Sequence, residues 1–240
     1  SGNDNDFSVS GLATSNQTTD SPTDSGTTIG NYATWNPLDK TGTVAFSNGN
    51  KSVSLTSTTP KRVRSTFALP ATGKYYFEYN PTTIGSGFGT FIGLMDNSHP
   101  VNEGSAGAGA FRFCQSTDGE KTQSGNGSGD TAYGSTWTTS DRVKVACDMD
   151  AGEIYVGTVA AGFFNSGVPS TNTNPMYSDL DGITWNICVS SPQNDTTAGD
   201  LICDSADFTG TPPTGYAALC TANLPAPTIT KPTDQFLPIL

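Results

Sequence analysis

The stretch Asp141-Arg142-Val143-Lys144-Val145-Ala146-Cys147-Asp148-Met149-Asp150-Ala151-Gly152-Glu153-Ile154-Tyr155-Val156 decides the fold class. Val143, Val145, Cys147 and Met149 occupy every second position, the period of a strand with one buried face. Asp150-Ala151-Gly152 then interrupts the pattern with turn residues. Asp bonds its own backbone and Gly accepts left-handed φ values. Glu153 to Val156 resumes an extended pattern, so the segment reads as an antiparallel hairpin.

The same grammar extends in both directions. Ala45 to Leu55 reads as two strands around an Asn48-Gly49 turn, a strong hairpin signal. Val63 to Leu69 is a strand candidate ending at the turn Pro70-Ala71-Thr72-Gly73. Tyr75, Phe77 and Tyr79 alternate with Lys74, Tyr76 and Glu78. Phe91 to Met95 and Ala110 to Cys114 are short apolar runs. Ile183 to Val189 and Leu201 to Phe208 read as a third hairpin. If Ser191 faces Asp200 in it, Cys188 faces Cys203, with Cβ atoms about 4.5–5.5 Å apart and the thiols reduced. Helical periodicity is nearly absent, and short strands with frequent turns predict an all-β antiparallel sandwich.

Composition narrows the function classes. The 240 residues are 34% hydrophobic, with Gly, Ser, Thr and Asn filling the remainder as long polar loops. Lys and Arg number 11 against 22 Asp and Glu, a net charge of −11. That charge repels phosphates, so no nucleic-acid partner is expected. No run of about 18 apolar residues occurs, so no membrane insertion is expected. The five cysteines lack CxxC spacing and most sit in apolar strand patterns, which fits buried thiols rather than a zinc site. Residues 1–30 read as a linker or extended arm, 31–220 as one domain, and 221–240 as a Pro-rich extension. The start at Ser1-Gly2 without Met, and the apolar end Phe236-Leu237-Pro238-Ile239-Leu240, read as a piece of a longer protein.

Candidate chemistry is thin. Asp148 and Asp150 alternate on one strand, about 6.5–7 Å apart, near the spacing of glycosidase carboxylates. The turn that follows makes them a hairpin end instead. His99 is the only histidine, and Ser98 beside it reads as a loop neighbour rather than a nucleophile. Asp179-Leu180-Asp181-Gly182 lacks a full calcium-loop pattern. No catalytic residue, metal or cofactor is expected. The binding candidates are loop aromatics and their polar neighbours: Phe88, Asn97, His99, Arg112, Tyr133, Trp137 and Tyr177.

The order Gly73–Tyr79, Phe91–Asp96, Asp141–Val156 and Thr211–Tyr216 resembles a SPRY (B30.2-type) domain. More narrowly, Thr34-Trp35-Asn36-Pro37-Leu38-Asp39 and Pro212-Pro213-Thr214-Gly215-Tyr216-Ala217-Ala218-Leu219-Cys220-Thr221-Ala222-Asn223-Leu224-Pro225 resemble the first and last motifs of SPRY domains embedded in tailed-bacteriophage virion proteins. The resemblance implies a concanavalin-like antiparallel sandwich with extended N- and C-terminal arms, binding ligands through variable loops at one edge. It implies a non-enzymatic tail fibre, tail spike or related appendage on the particle surface. The implied partners are other virion proteins, further copies of the chain, and a host-surface glycan or protein. A capsid decoration protein is the alternative, and a concanavalin-like glycoside hydrolase the third reading. The loops Asn97–Gly109 and Gln115–Ala132 depart from the family, so ligand specificity does not carry over.

Overall fold

The computed structural model describes residues 31–57, 60–101, 110–123, 130–191 and 195–225. The expected arm 1–30, and residues 226–240 of the expected 221–240 extension, lie outside the described residues.

Among the described residues, fourteen strands form two packed sheets. The first has the order β1 (Trp35–Lys40), β4 (Lys61–Ala68), β12 (Trp185–Ser191), β6 (Phe91–Asp96), β7 (Phe111–Gln115) and β8 (Lys121–Thr122). The second has the order β11 (Gly162–Phe163), β10 (Glu153–Thr158), β9 (Val143–Asp148), β5 (Lys74–Thr83), β13 (Asp195–Ile202), β3 (Ser52–Ser57) and β2 (Val44–Ser47). A short strand, β14 (Ala217–Ala218), joins β5 in parallel. All other pairings are antiparallel.

The decisive hairpin forms as its sequence implies. Glu153 stands opposite Asp148 and Val156 opposite Val145. The β2–β3 hairpin turns at Asn48-Gly49-Asn50, all with positive φ. β5 runs past the expected Tyr79 to Thr83, because β13 pairs with its second half. Pro81 falls there, where the register shifts, as a residue without an N–H requires.

The expected third hairpin does not form. β12 lies between β4 and β6 in one sheet, and β13 between β5 and β3 in the other. Cys188 therefore faces Gly93 and Arg64, not Cys203. Period-two alternation identifies a strand and its faces but not the sheet that holds it. Each of these strands has two other neighbours that complete its ladders.

Between the sheets lies a core of Leu55, Val63, Phe77, Ile92, Leu94, Val145, Val156, Ile187 and Val189. A ladder of rings crosses it. Trp35 meets Tyr79 edge-on at 6.5 Å, and Tyr79 meets Trp137 at 6.4 Å. The outer faces carry satellites. Met95, Phe111, Phe113 and Cys188 cluster outside the six-stranded sheet, with Val101 and Ala110 against them. Tyr76, Ala146, Tyr155 and Tyr216 cluster outside the other. There the buried Glu78 accepts hydrogen bonds from the Tyr76 hydroxyl (2.8 Å), Thr209 N (3.0 Å) and Gly210 N (2.7 Å). One carboxylate thus holds the segment after β13 against the sheet.

The two ends of the domain close on each other. Ala33 N donates to Leu219 O, Thr221 N to Asn31 O, and Asn31 N to Thr221 Oγ1. Ala222 and Leu224 pack on the core. The first residues of the expected 221–240 extension are therefore part of the sandwich.

Candidate functional site

The best-formed surface feature is the β5–β6 loop, residues 84–90. Gly85, Gly87 and Gly89 alternate around Ser86 and Phe88. Asp195, at the start of β13, inserts its carboxylate beneath. Ser86 N donates to Oδ1 (2.8 Å) and Gly87 N to Oδ2 (3.1 Å). A Cβ on Gly85 would lie 1.8 Å from Asp195 Cγ, so only glycine permits this approach. On the other flank, Thr90 N donates to Ser116 Oγ (2.8 Å) and Ser116 N to Thr90 O (2.9 Å). Thr117 Oγ1 donates to Phe88 O (3.3 Å). Gly89 takes φ +75° to allow the turn. The backbone is fixed on both sides while the Phe88 ring stands 60% exposed.

The other candidates do not join it. Asn97 is exposed and His99 half-exposed, at the opposite end of β6. Asp96 Oδ2 lies 3.0 Å and Ser98 Oγ 3.4 Å from the same imidazole nitrogen, His99 Nδ1. A proton relay needs the two partners on different ring nitrogens, so this trio is a capped turn and not a triad. Burial would raise the Asp96 carboxyl pKa. The Ser98 backbone N–H, the Ser98 hydroxyl and His99 outweigh it and hold the pKa below the usual range.

Arg112 and Tyr177 do come together. The buried guanidinium grips Asp179 through Nε (2.8 Å) and Nη2 (2.7 Å), and lies 5.1 Å from the Tyr177 ring centre and 5.3 Å from that of Trp185. Lys121 Nζ sits 4.8 Å from the same Tyr177 ring. As its alternation with Phe111 and Phe113 requires, Arg112 points to the opposite face. Its charge is answered by Asp179, and the group fastens the 176–180 segment to the sheet.

Tyr133 and Trp137, expected as loop aromatics open to a ligand, are buried instead. Trp137 is 1% exposed in the ring ladder, and Tyr133 packs edge-on against Phe164 at 6.3 Å. Both lie on an irregular segment that folds inward to plug the core. Polar neighbours hid that burial.

The carboxylates of the acidic turn are taken up by hydrogen bonds within the protein. Asp148 is fully buried; Lys74 lies 2.5 Å from Oδ2, and Oδ1 accepts Asp150 N and Ala151 N at 3.1 Å. Asp150 Oδ1 accepts Gly73 N (2.9 Å). Glu153 accepts the Tyr155 hydroxyl and the Asn172 amide. These carboxylates are occupied in tying turns together. Among the described residues, no group of three or more His, Cys, Asp or Glu could hold a metal ion.

Sequence reading missed two functional candidates. Asp195 gives no local signal, since the loop it clamps lies more than a hundred residues away. Leu38 is 95% exposed. It stands in β1, where the pairing with β4 is irregular, on a segment pinned by Asn36 Oδ1, which accepts Leu38 N (3.0 Å), and by the Asp39–Arg64 ion pair (2.8 Å).

No protein-family model matches this sequence, and no curated protein matches it by sequence. In shape the chain is similar to the SPRY domain of human HERC1. The identity is 16% and the TM-score 0.53, over 70% of this chain and 96% of that one. It is also similar to stonustoxin, at 14% identity and TM-score 0.51, over 71% of this chain and 27% of the toxin chain. At such identities the likeness is one of fold. Two antiparallel sheets, the 141–156 hairpin and these neighbours together establish a SPRY-type, concanavalin-like β-sandwich.

Proposed function

We propose that this chain is a non-enzymatic recognition module of a phage particle, part of a tail fibre, tail spike or related appendage. It binds a host-surface glycan or protein through the loop that carries Phe88. The observation that carries this reading is the presentation of that ring. Leaving a phenylalanine 60% exposed forgoes much of the roughly 1.5–3 kcal/mol that full burial would contribute. The chain nevertheless spends a buried-facing carboxylate and a glycine-only approach on holding the loop still. A fixed exposed aromatic suits stacking on a sugar face or anchoring in a protein pocket, because little ordering entropy is lost on contact.

The phage setting is supported by the terminal motifs. Of the stretches that resemble the first and last motifs of virion SPRY domains, 34–39 directly follows one side of the domain's closure on itself and 212–225 contains the other.

Phe88→Ala tests the reading. Binding to host cells is expected to fall at least tenfold, with thermal unfolding unchanged. Undiminished binding would overturn the role of Phe88. Immunogold labelling of purified particles tests the setting, with gold expected at fibres or baseplate. A purely structural role, such as capsid decoration, is favoured by the exposed, pinned Leu38. Gold spread over the head would select it.

A further inference from the structure

Two strand ends meet beside β5. On one side β5 is paired to β9 along Lys74–Tyr79. On the other, β13 runs antiparallel until Ile202 stands opposite Glu78, and β14 runs parallel with Ala218 beside Tyr76. The two chains therefore approach the level of Phe77 from opposite directions. Cys203 is one residue past the end of β13, and Cys220 two residues past β14. Both side chains are buried, 2% and 1% exposed, in the same apolar cluster. Burial pushes the Cys203 thiol well up, and the neighbouring Cys220 adds to that.

We propose that Cys203 and Cys220 form a redox site that closes to a disulfide when the chain meets an oxidising small-molecule disulfide. One cysteine, as thiolate, attacks a sulfur of the small disulfide and expels its partner as thiolate. The second cysteine loses its proton and attacks the protein sulfur of the mixed disulfide, expelling the other small thiolate. Two protein thiols are oxidised and one small disulfide is reduced to two thiols. The new bond ties the closing segment of the domain to β13.

In the thiol form the site is shielded. Cys220 bridges Tyr32 through its backbone, and its Sγ accepts from Asn223 Nδ2 at 3.2 Å. Oxidation therefore waits on opening of the 31–33/219–221 pairing. Loosening that pairing with Thr221→Ala, which removes the acceptor for Asn31 N, speeds it.

The test incubates the full chain with glutathione disulfide, natively and in mild urea, then alkylates remaining thiols after denaturation and maps peptides. The expected product links Cys203 to Cys220 and leaves Cys114, Cys147 and Cys188 alkylated. Cys203→Ser and Cys220→Ser should each abolish the link, and Thr221→Ala should form it several-fold faster. Three results would overturn the proposal: no link even in mild urea, a link between other cysteines, or glutathione retained on either residue without closure.

Discussion

Glu78 shows how much one side chain can organise here. It is fully buried, and its two oxygens serve the Tyr76 and Thr209 hydroxyls and the Thr209 and Gly210 amides. Arg142 lies 3.8 Å away. Glu78→Ala would leave the buried Tyr76 hydroxyl and the part-buried Thr209 and Gly210 donors without their acceptor, at an expected cost of about 3–5 kcal/mol. Glu78→Gln keeps one carbonyl acceptor and should cost clearly less. Urea denaturation of both variants checks the order; equal losses would show that volume, not acceptance, is what Glu78 supplies. The sequence shows Glu78 only as the outward member of an alternating strand. That is right about its direction and silent about the segment that covers it. Arg112 was more legible in direction than in role: its alternation with Phe111 and Phe113 states its face, but it read as a binding candidate, and the Asp179 that grips it lies on a distant segment.

At the scale of elements, hairpins were legible and sheet membership was not. Asn48-Gly49 and Asp150-Ala151-Gly152 mark their turns because backbone geometry there demands those residues. The connection from β12 to β13 carries no comparable mark, so two adjacent strands in sequence read as partners although they belong to opposite sheets. Of the β5–β6 loop only Phe88 was legible, as a loop aromatic. Its three alternating glycines read equally as a flexible loop, and the Asp195 they approach is supplied by a distant strand. Gly85→Ala tests whether the clamp matters. The added methyl collides with Asp195, so ligand binding should fall as for Phe88→Ala. Stability should drop by about 1–3 kcal/mol, the usual cost of overpacking. Binding unchanged with stability lowered would separate the clamp from recognition.

Across the whole molecule, the polar composition concealed an ordinary core. Burial raises the pKa of thiols and phenols throughout it. Cys114 and Cys188 are pushed up to about 12 from 9.0, and Tyr75 to about 12 from 10.0. A group whose pKa is higher folded than unfolded keeps its full contribution at low pH and loses it as pH climbs between the two values. The urea midpoint should therefore fall progressively from about pH 9 towards pH 12. A midpoint flat across that range would contradict burial of these groups.

Because Asn31 and Thr221 lie side by side, tension applied through both flanks would not load the sheets in shear. It would peel apart the short closure bond by bond, each bearing the force alone. While that closure holds, the sandwich hangs beside the line of force; once it is peeled, the load passes into the strands it joins. The same geometry lets such a unit be spliced into a surface turn of another protein without diverting the host backbone. A domain that returns its chain to the point of departure is mechanically a pendant, and in evolution a removable part.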